Sequence, residues 1–174
     1  MTIDDAIARI TETVRTLSPK IGNEAVNFFK DNFRKQGWQG ATFQPWPKRK
    51  HETKKSKGRP ILIQSGAMER GIQVKEATEE STTVGTDGNI PYSRIHNEGG
   101  QITQAARSET FVRNRLKKGA RKGRFTGGVT AGQGFTFKER VINIPRRQYM
   151  GDSPVLRDRI EKLAIEELKK AIQP

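Results

Sequence analysis

Apolar residues along this chain fall into a few patterned stretches separated by long polar segments. Over residues 2–17, Ile3, Ile7, Ile10, Val14 and Leu17 recur at spacings of four, three, four and three, which places them on one face of a helix. Thr2 and Asp5 are a capping pair at its start. Ser18-Pro19 reads as an interruption, with Ser18 as N-cap and Pro19 as first residue of a second helix. That helix is expected to reach about Lys35, with Ile21, Ala25, Phe28, Phe29 and Phe33 facing inward, and to be stopped by Gly37. Both stripes read as core or subunit packing. Residues 37–60 (GWQGATFQPWPKRKHETKKSKGRP) have no apolar period, and Trp38 and Trp46 are expected to plug the edge of a core. Base stacking is the weaker reading, because a single-strand binder interleaves aromatics with its cations, whereas Trp46 precedes the basic run.

Ile61-Leu62-Ile63 opens the second half of the pattern, and Ser65 to Arg70 fits one helical turn. Ile72 and Val74, then Thr82 and Val84, alternate with polar neighbours as two short strands joined near Glu79-Glu80. Asp87-Gly88-Asn89 is a turn that delivers the chain to IPYSRIHNEGG, residues 90–100. Tyr92 and His96 are four apart and share a side of a helical turn. Pro91 suits the first position of that turn, and Gly99 and Gly100 end it. A second compact segment, IPRRQYMGDSP, spans residues 144–154.

Between these two segments, residues 101–139 are glycine-rich and lack an apolar period. A short helix is expected over Thr110 to Lys118 and a returning strand over Phe135 to Ile144, so the excursion reads as a hairpin-like arm inserted in a sheet. Tyr92, His96, Gly99, Gly100, Ile144, Pro145 and Tyr149 are expected to form one structural unit at its base. Ser153-Pro154 starts a last helix with a wide apolar stripe through Leu156, Ile160, Leu163, Ala164, Leu168, Ala171 and Ile172. The fold class that follows is α+β. N-terminal helices lead to a small, mainly antiparallel sheet carrying a long basic arm, and a C-terminal helix packs on that sheet. A single domain over residues 1–174 is expected, with a basic loop at 44–60 and the inserted arm at 101–139.

Composition changes this picture in one respect. Apolar residues are only 32% of the chain, against roughly 45–50% for an average globular protein, so much of the chain stays outside any core. The net charge is +14, and residues 44–60 and 101–125 carry +13 of it, leaving a nearly neutral body. The cations of the first segment are Lys48, Arg49, Lys50, Lys54, Lys55, Lys57 and Arg59. Those named from the second are Arg113, Arg115, Lys117, Lys118, Arg121, Lys122 and Arg124. Such loops meet a polyanion or an acidic protein surface.

Little else suggests chemistry. With no cysteine there is no disulfide framework and no thiolate metal site. His96 and Glu98 lack a third ligand at a convincing spacing, and the imidazole reads as a partly buried, hydrogen-bonded member of its turn. No nucleophile elbow and no phosphate loop are present. The longest aliphatic run, Ile61 to Ile63, is far short of a membrane span. The acidic, amphipathic N-terminus does not resemble a signal peptide. No catalysis, metal, cofactor or membrane contact is expected, and the chain reads as a soluble intracellular protein or a virion part.

The order of motifs carries more than any one of them. A helical N-terminus ends in Gln36-Gly37-Trp38, a basic loop leads to Ile61-Leu62-Ile63-Gln64-Ser65-Gly66-Ala67-Met68, and a hairpin leads to Val84-Gly85-Thr86. Pro91 to Gly100 and Ile144 to Gly151 follow, then a helix. Over residues 25–172 this resembles the phage virion morphogenesis, or tail completion, family, in which Y-A-x-I-H-x-x-G and I-P-x-R-x-F-x-G segments recur. Here Ser93 replaces the usual alanine and Tyr149 the usual phenylalanine. The resemblance implies a non-enzymatic structural protein of a tailed phage, at the head–tail junction or tail end of the virion and needed for assembly. It also implies a ring of identical subunits, hexameric, that meets neighbouring neck or tail proteins, with genomic DNA in the lumen as a further expected partner. The competing class is a free, sequence-nonspecific nucleic-acid-binding protein that uses the same two basic loops.

Overall fold

The computed structural model describes residues 2–54 and 56–173, with side chains described outside 108–113 and 125–136. It opens with one helix, α1, over Ile3–Lys35. The capping box forms as expected: the Asp5 amide donates to the Thr2 hydroxyl at 3.2 Å, and the Thr2 amide donates to the Asp5 carboxylate at 3.0 Å. The expected break at Ser18-Pro19 does not occur, and Pro19 lies inside the helix. An interior proline withholds one amide and costs roughly 3 kcal/mol, so packing must hold the helix through it. Ser18 accordingly serves as an anchor, not as a cap. Its hydroxyl donates to the Ser81 carbonyl at 3.0 Å, and the Thr82 hydroxyl donates back to the Ser18 carbonyl at 2.8 Å. One turn on, a Cβ at Gly22 would stand 2.7 Å from Thr82 Cγ2 and 2.8 Å from Val74 Cγ2, so the absent side chain lets the helix meet these two residues closely.

Alpha helix α1 ends at Lys35, and Gln36, not a glycine, takes the left-handed conformation at φ 57°. Strands β1 (Gly37–Gln39) and β2 (Phe43–Pro45) follow as an antiparallel pair inside the stretch that showed no apolar period. Both tryptophans are buried, as their plug reading requires. Trp38 stands edge-on to Phe28 at 6.1 Å, and Trp46 edge-on to Phe33 at 5.4 Å. Such edge-to-face pairs contribute beyond the area they bury. The Trp46 indole N–H reaches the Gln148 carbonyl at 2.7 Å, so its polar tip is satisfied.

A short helix α2 (Ala67–Arg70) buries Met68, and β3 (Ile72–Ala77) pairs antiparallel with β4 (Thr82–Thr86), with an irregularity between Val74 and Glu76. This hairpin packs on α1. The turn after β4 closes through the Ile90 amide on the Asp87 carbonyl at 3.1 Å and leads into α3 (Ser93–Glu98). Pro91 lies just ahead of the N-cap, Tyr92, and not at the first helical position.

Helix α4 (Pro154–Ile172) is capped by Ser153, whose hydroxyl accepts from the Leu156 amide at 3.4 Å. Its main partner is α1, not a sheet. Arg159 pairs with Glu24 at 3.3 Å and lies 5.3 Å above the Phe28 ring, and Lys20 pairs with Glu167. The long uninterrupted α1 offers α4 a continuous surface that two-stranded pairs cannot.

The α+β class holds, but the strands make four separate two-stranded sheets. The chain divides into two compact units, Met1–Gly100 with Pro145–Pro174, and Gln101–Ile144. Strand β5 (Gly100–Gln104), which lies in the second unit from Gln101 onward, pairs with β8 (Arg140–Ile144). There β6 (Arg107–Arg115) runs antiparallel to β7 (Phe125–Phe137), with Arg107 opposite Phe137 and Arg115 opposite Phe125. The expected helix over Thr110 to Lys118 is therefore strand up to Arg115 and turn beyond it. Thr110, Phe111 and Val112 are residue types that favour an extended ladder once a partner strand is present. The strand expected over Phe135 to Ile144 is interrupted at Lys138-Glu139, where β7 has ended and β8 has not begun.

Candidate functional site

Helix α3 and the extended segment 145–150 are stitched together by backbone geometry. Gly99 adopts φ +77°, and a Cβ there would stand 2.9 Å from the Arg146 amide nitrogen, so only glycine lets the two chains lie this close. The Arg147 amide donates to the His96 carbonyl at 2.8 Å. The Asn97 side-chain oxygen accepts from the Tyr149 and Met150 amides at 2.9 and 3.0 Å. The Tyr149 ring is 1% exposed, and its hydroxyl donates to the Ser93 carbonyl at 3.2 Å. Burial pushes that phenol up to about 12, against the smaller opposing effect of its hydrogen bond. Asn32, fully buried on α1, completes the junction. Its amide donates to the Tyr149 carbonyl at 3.0 Å, and its oxygen accepts from the Gln39 side-chain amide at 3.0 Å.

On the outer side of this junction lies a cavity of about 690 Å³. Tyr92 and His96 line it, with rings 6.1 Å apart and nearly perpendicular. Ile61, Leu62 and Met68 supply apolar wall, and Arg49, Arg59 and Arg147 supply charge. Arg147 is buried, and its guanidinium donates to the Pro47 carbonyl at 3.0 Å and the Lys48 carbonyl at 3.4 Å. Arg49 donates to the carbonyls of Ser56, Arg59 and Pro60, at 3.3, 2.7 and 2.6 Å, and so folds the basic loop around itself. Arg59 donates to the Gln64 carbonyl at 2.9 Å. Among the described residues none of the three guanidiniums meets a carboxylate. Burial, then the charge of Arg49, lowers the pKa of Arg147. Burial, then Arg147, lowers that of His96. The expectation of a hydrogen-bonded imidazole is corrected at one nitrogen: among the described residues His96 Nδ1 is buried with no partner, since the neighbouring Arg147 guanidinium donates to the Pro47 and Lys48 carbonyls instead.

The structure thus brings together Tyr92, His96, Gly99, Pro145 and Tyr149 from the two motif segments, and adds Arg49 and Arg59 from the basic loop. Gly100 adjoins Ile95, while Ile144 closes β8 in the other unit. Lys48 contributes a carbonyl to Arg147, and Lys50, Lys54 and Lys57 are exposed. Arg115, Lys117, Lys118, Arg121, Lys122 and Arg124 are exposed on and around the β6–β7 turn, where Arg115 reaches the Gly123 carbonyl at 3.2 Å. Lys55 and the Arg113 side chain lie outside the described residues. Sequence reasoning missed Arg147, Asn97 and Asn32. For Arg147 a signal existed: in an extended segment residues two apart share a side, so a core-facing Tyr149 places Arg147 on its side.

Among the described residues no three potential metal ligands gather, and no helix is long and apolar enough to cross a membrane. Residues 2–169 match the phage virion morphogenesis family. No curated protein and no solved structure matches the chain.

Proposed function

The chain belongs to the phage virion morphogenesis family, and from that premise we propose that it is a non-enzymatic structural protein of the neck or tail end. It would form a ring, hexameric, at the head–tail junction and complete the tail during assembly in the host cytoplasm. The observation that carries this reading is the family match across nearly the whole chain. The charge distribution supports it: a nearly neutral body can pack against copies of itself, while two segments holding +13 per subunit reach a polyanion or an acidic neighbour. Its partners are then further copies of itself, adjoining neck or tail proteins, and genomic DNA in the lumen.

The test is the copy number of the protein in purified particles, with its position fixed by imaging them. A fixed copy number of about six at the neck or tail end supports the ring. Absence from particles, with a monomeric free protein that binds DNA, would favour the second reading, a free nucleic-acid-binding protein. The basic segments alone motivate that alternative. It predicts affinity that falls steeply with salt and shows little sequence preference.

A further inference from the structure

The cavity beside α3 holds like charges close together without a counter-charge. A buried cation ordinarily pairs with a carboxylate, because removing a charge from water is costly unless it is compensated. Arg147 is 7% exposed and feels the charge of Arg49. Their bonds go to main-chain carbonyls, which orient the guanidiniums but do not neutralise them. Each guanidinium has five N–H donors. Arg59 commits one bond to the Gln64 carbonyl, and Arg147 two bonds to Pro47 and Lys48, so most of their donors are spare.

We propose that this cavity is the docking site for an acidic segment of a neighbouring protein chain. Carboxylates of that segment pair with Arg49, Arg59 and Arg147, and its aliphatic carbons lie against Leu62 and Met68. The proposal rests on the reading of this chain as a virion structural protein that meets other subunits. Three observations favour this occupant over nucleic acid. The volume of about 690 Å³ suits a few side chains, and lies within the usual range of ligand clefts. A duplex presents its phosphates on a convex backbone, which does not enter such a recess. A single-strand site needs a series of stacking aromatics, and among the described lining residues Tyr92 is the one aromatic besides the imidazole it abuts. The planar guanidinium fork also matches a carboxylate in two parallel bonds, and the carbonyls that hold Arg49 and Arg147 fix the forks before the partner arrives.

The experiment uses the purified full-length chain in low salt, with hexaglutamate as probe and a thymidylate oligomer of equal charge as comparison. Titration calorimetry gives the affinity, and the His96 ring signals report occupancy, because a seated anion offsets Arg147 and raises the imidazole pKa. Hexaglutamate should bind and move the signals of His96 but not those of His51. Arg59→Gln should weaken binding about tenfold, as expected for loss of a charge-assisted bond. Lys57→Gln, an equal loss of charge on the same loop but off the cavity, should change it less than twofold. Arg147→Lys keeps the charge, loses the fork, and should weaken binding by a similar tenfold. The docking site is overturned if Lys57→Gln weakens binding as much as Arg59→Gln, if the thymidylate binds as tightly with the same His96 response, or if neither probe binds. Particle composition separates this from the ring reading. An Arg59→Gln protein present in particles at the normal copy number overturns the docking site alone. A wild-type protein present in particles at a copy number that forms no ring overturns the ring reading alone.

Discussion

In the unit built from residues 1–100 and 145–174, Phe28, Phe33, Ile72 and Tyr149 are each no more than 1% exposed. In residues 101–144 the described apolar side chains Ile102, Leu116, Phe137 and Val141 are 38–53% exposed. The first unit is held by an aromatic core closed with Trp38 and Trp46. The second is held by ladder hydrogen bonds between paired strands, and every residue of β5 is exposed. Two-stranded pairs are marginal on their own in water, because the ladder alone does not offset the entropy of ordering the chain. Among the described side chains of residues 101–144 none is buried, and Ile142 and Ile144 are half-buried, so regular structure forms here without a described buried side chain.

The largest expected contrast is in amide exchange. Amides near Phe29 to Phe33 of α1 should exchange at least about a hundredfold more slowly than those of β6, since local opening is cheapest where few apolar contacts are broken. Equal protection in both segments would break the comparison. Phe33→Ala should cost about 3–5 kcal/mol in chemical denaturation, because it opens a void between Trp46 and Tyr149.

Tyr149 sharpens the comparison through pH. Its folded pKa is raised to about 12, against about 10 in an unfolded chain. Between these values the folded state binds the extra proton, so stability is complete below pH ~10 and falls by about 2–3 kcal/mol as pH rises to ~12. Tyr149→Phe should remove that slope in a series of alkaline melts. Gly22→Ala should destabilise by about 1–3 kcal/mol despite its better helix propensity, because the new methyl meets Val74 and Thr82. A stabilised protein would mean that the hairpin yields at that contact. At the small end, Lys117→Gln with Lys118→Gln should change the unfolding free energy by no more than about 0.5 kcal/mol in chemical denaturation, since both side chains are exposed.

The periodic stripes of α1 and α4, the capping box, the tryptophan plugs and the β3–β4 hairpin were all legible, because each is written in local spacing or in residue type. The continuity of α1 through Pro19 was not, since it depends on Ser81 and Thr82 gripping Ser18 from far along the chain. Strand β6 was missed for a similar reason, as its pairing partner begins beyond the turn at 116–124. Of the candidate site, the Tyr92–His96 pair followed from a four-residue spacing. Arg49 and Arg59 were visible only as members of a basic run. Nothing local distinguishes them from Lys50 or Lys57, because the distinction lies in the carbonyls of residues 56, 59, 60 and 64 that the fold presents to them.

Pro19 also sets a boundary within a single rod. A helix transmits order one amide at a time, and at this position Arg15 is offered no amide to receive. Ile3, Ile7 and Val14 lie on the side of the boundary that carries exposed apolar carbon, and Phe28, Phe29 and Phe33 lie on the other. Melting that starts at Thr2 therefore runs up to a clamp at Ser18 and halts there, with the aromatic half intact. The first four turns meet the rest of the unit through exposed contacts, Arg9 to the Gln173 carbonyl at 3.3 Å and Arg15 to Glu79 at 3.5 Å, so releasing them costs these contacts while Ser18 still anchors the aromatic half.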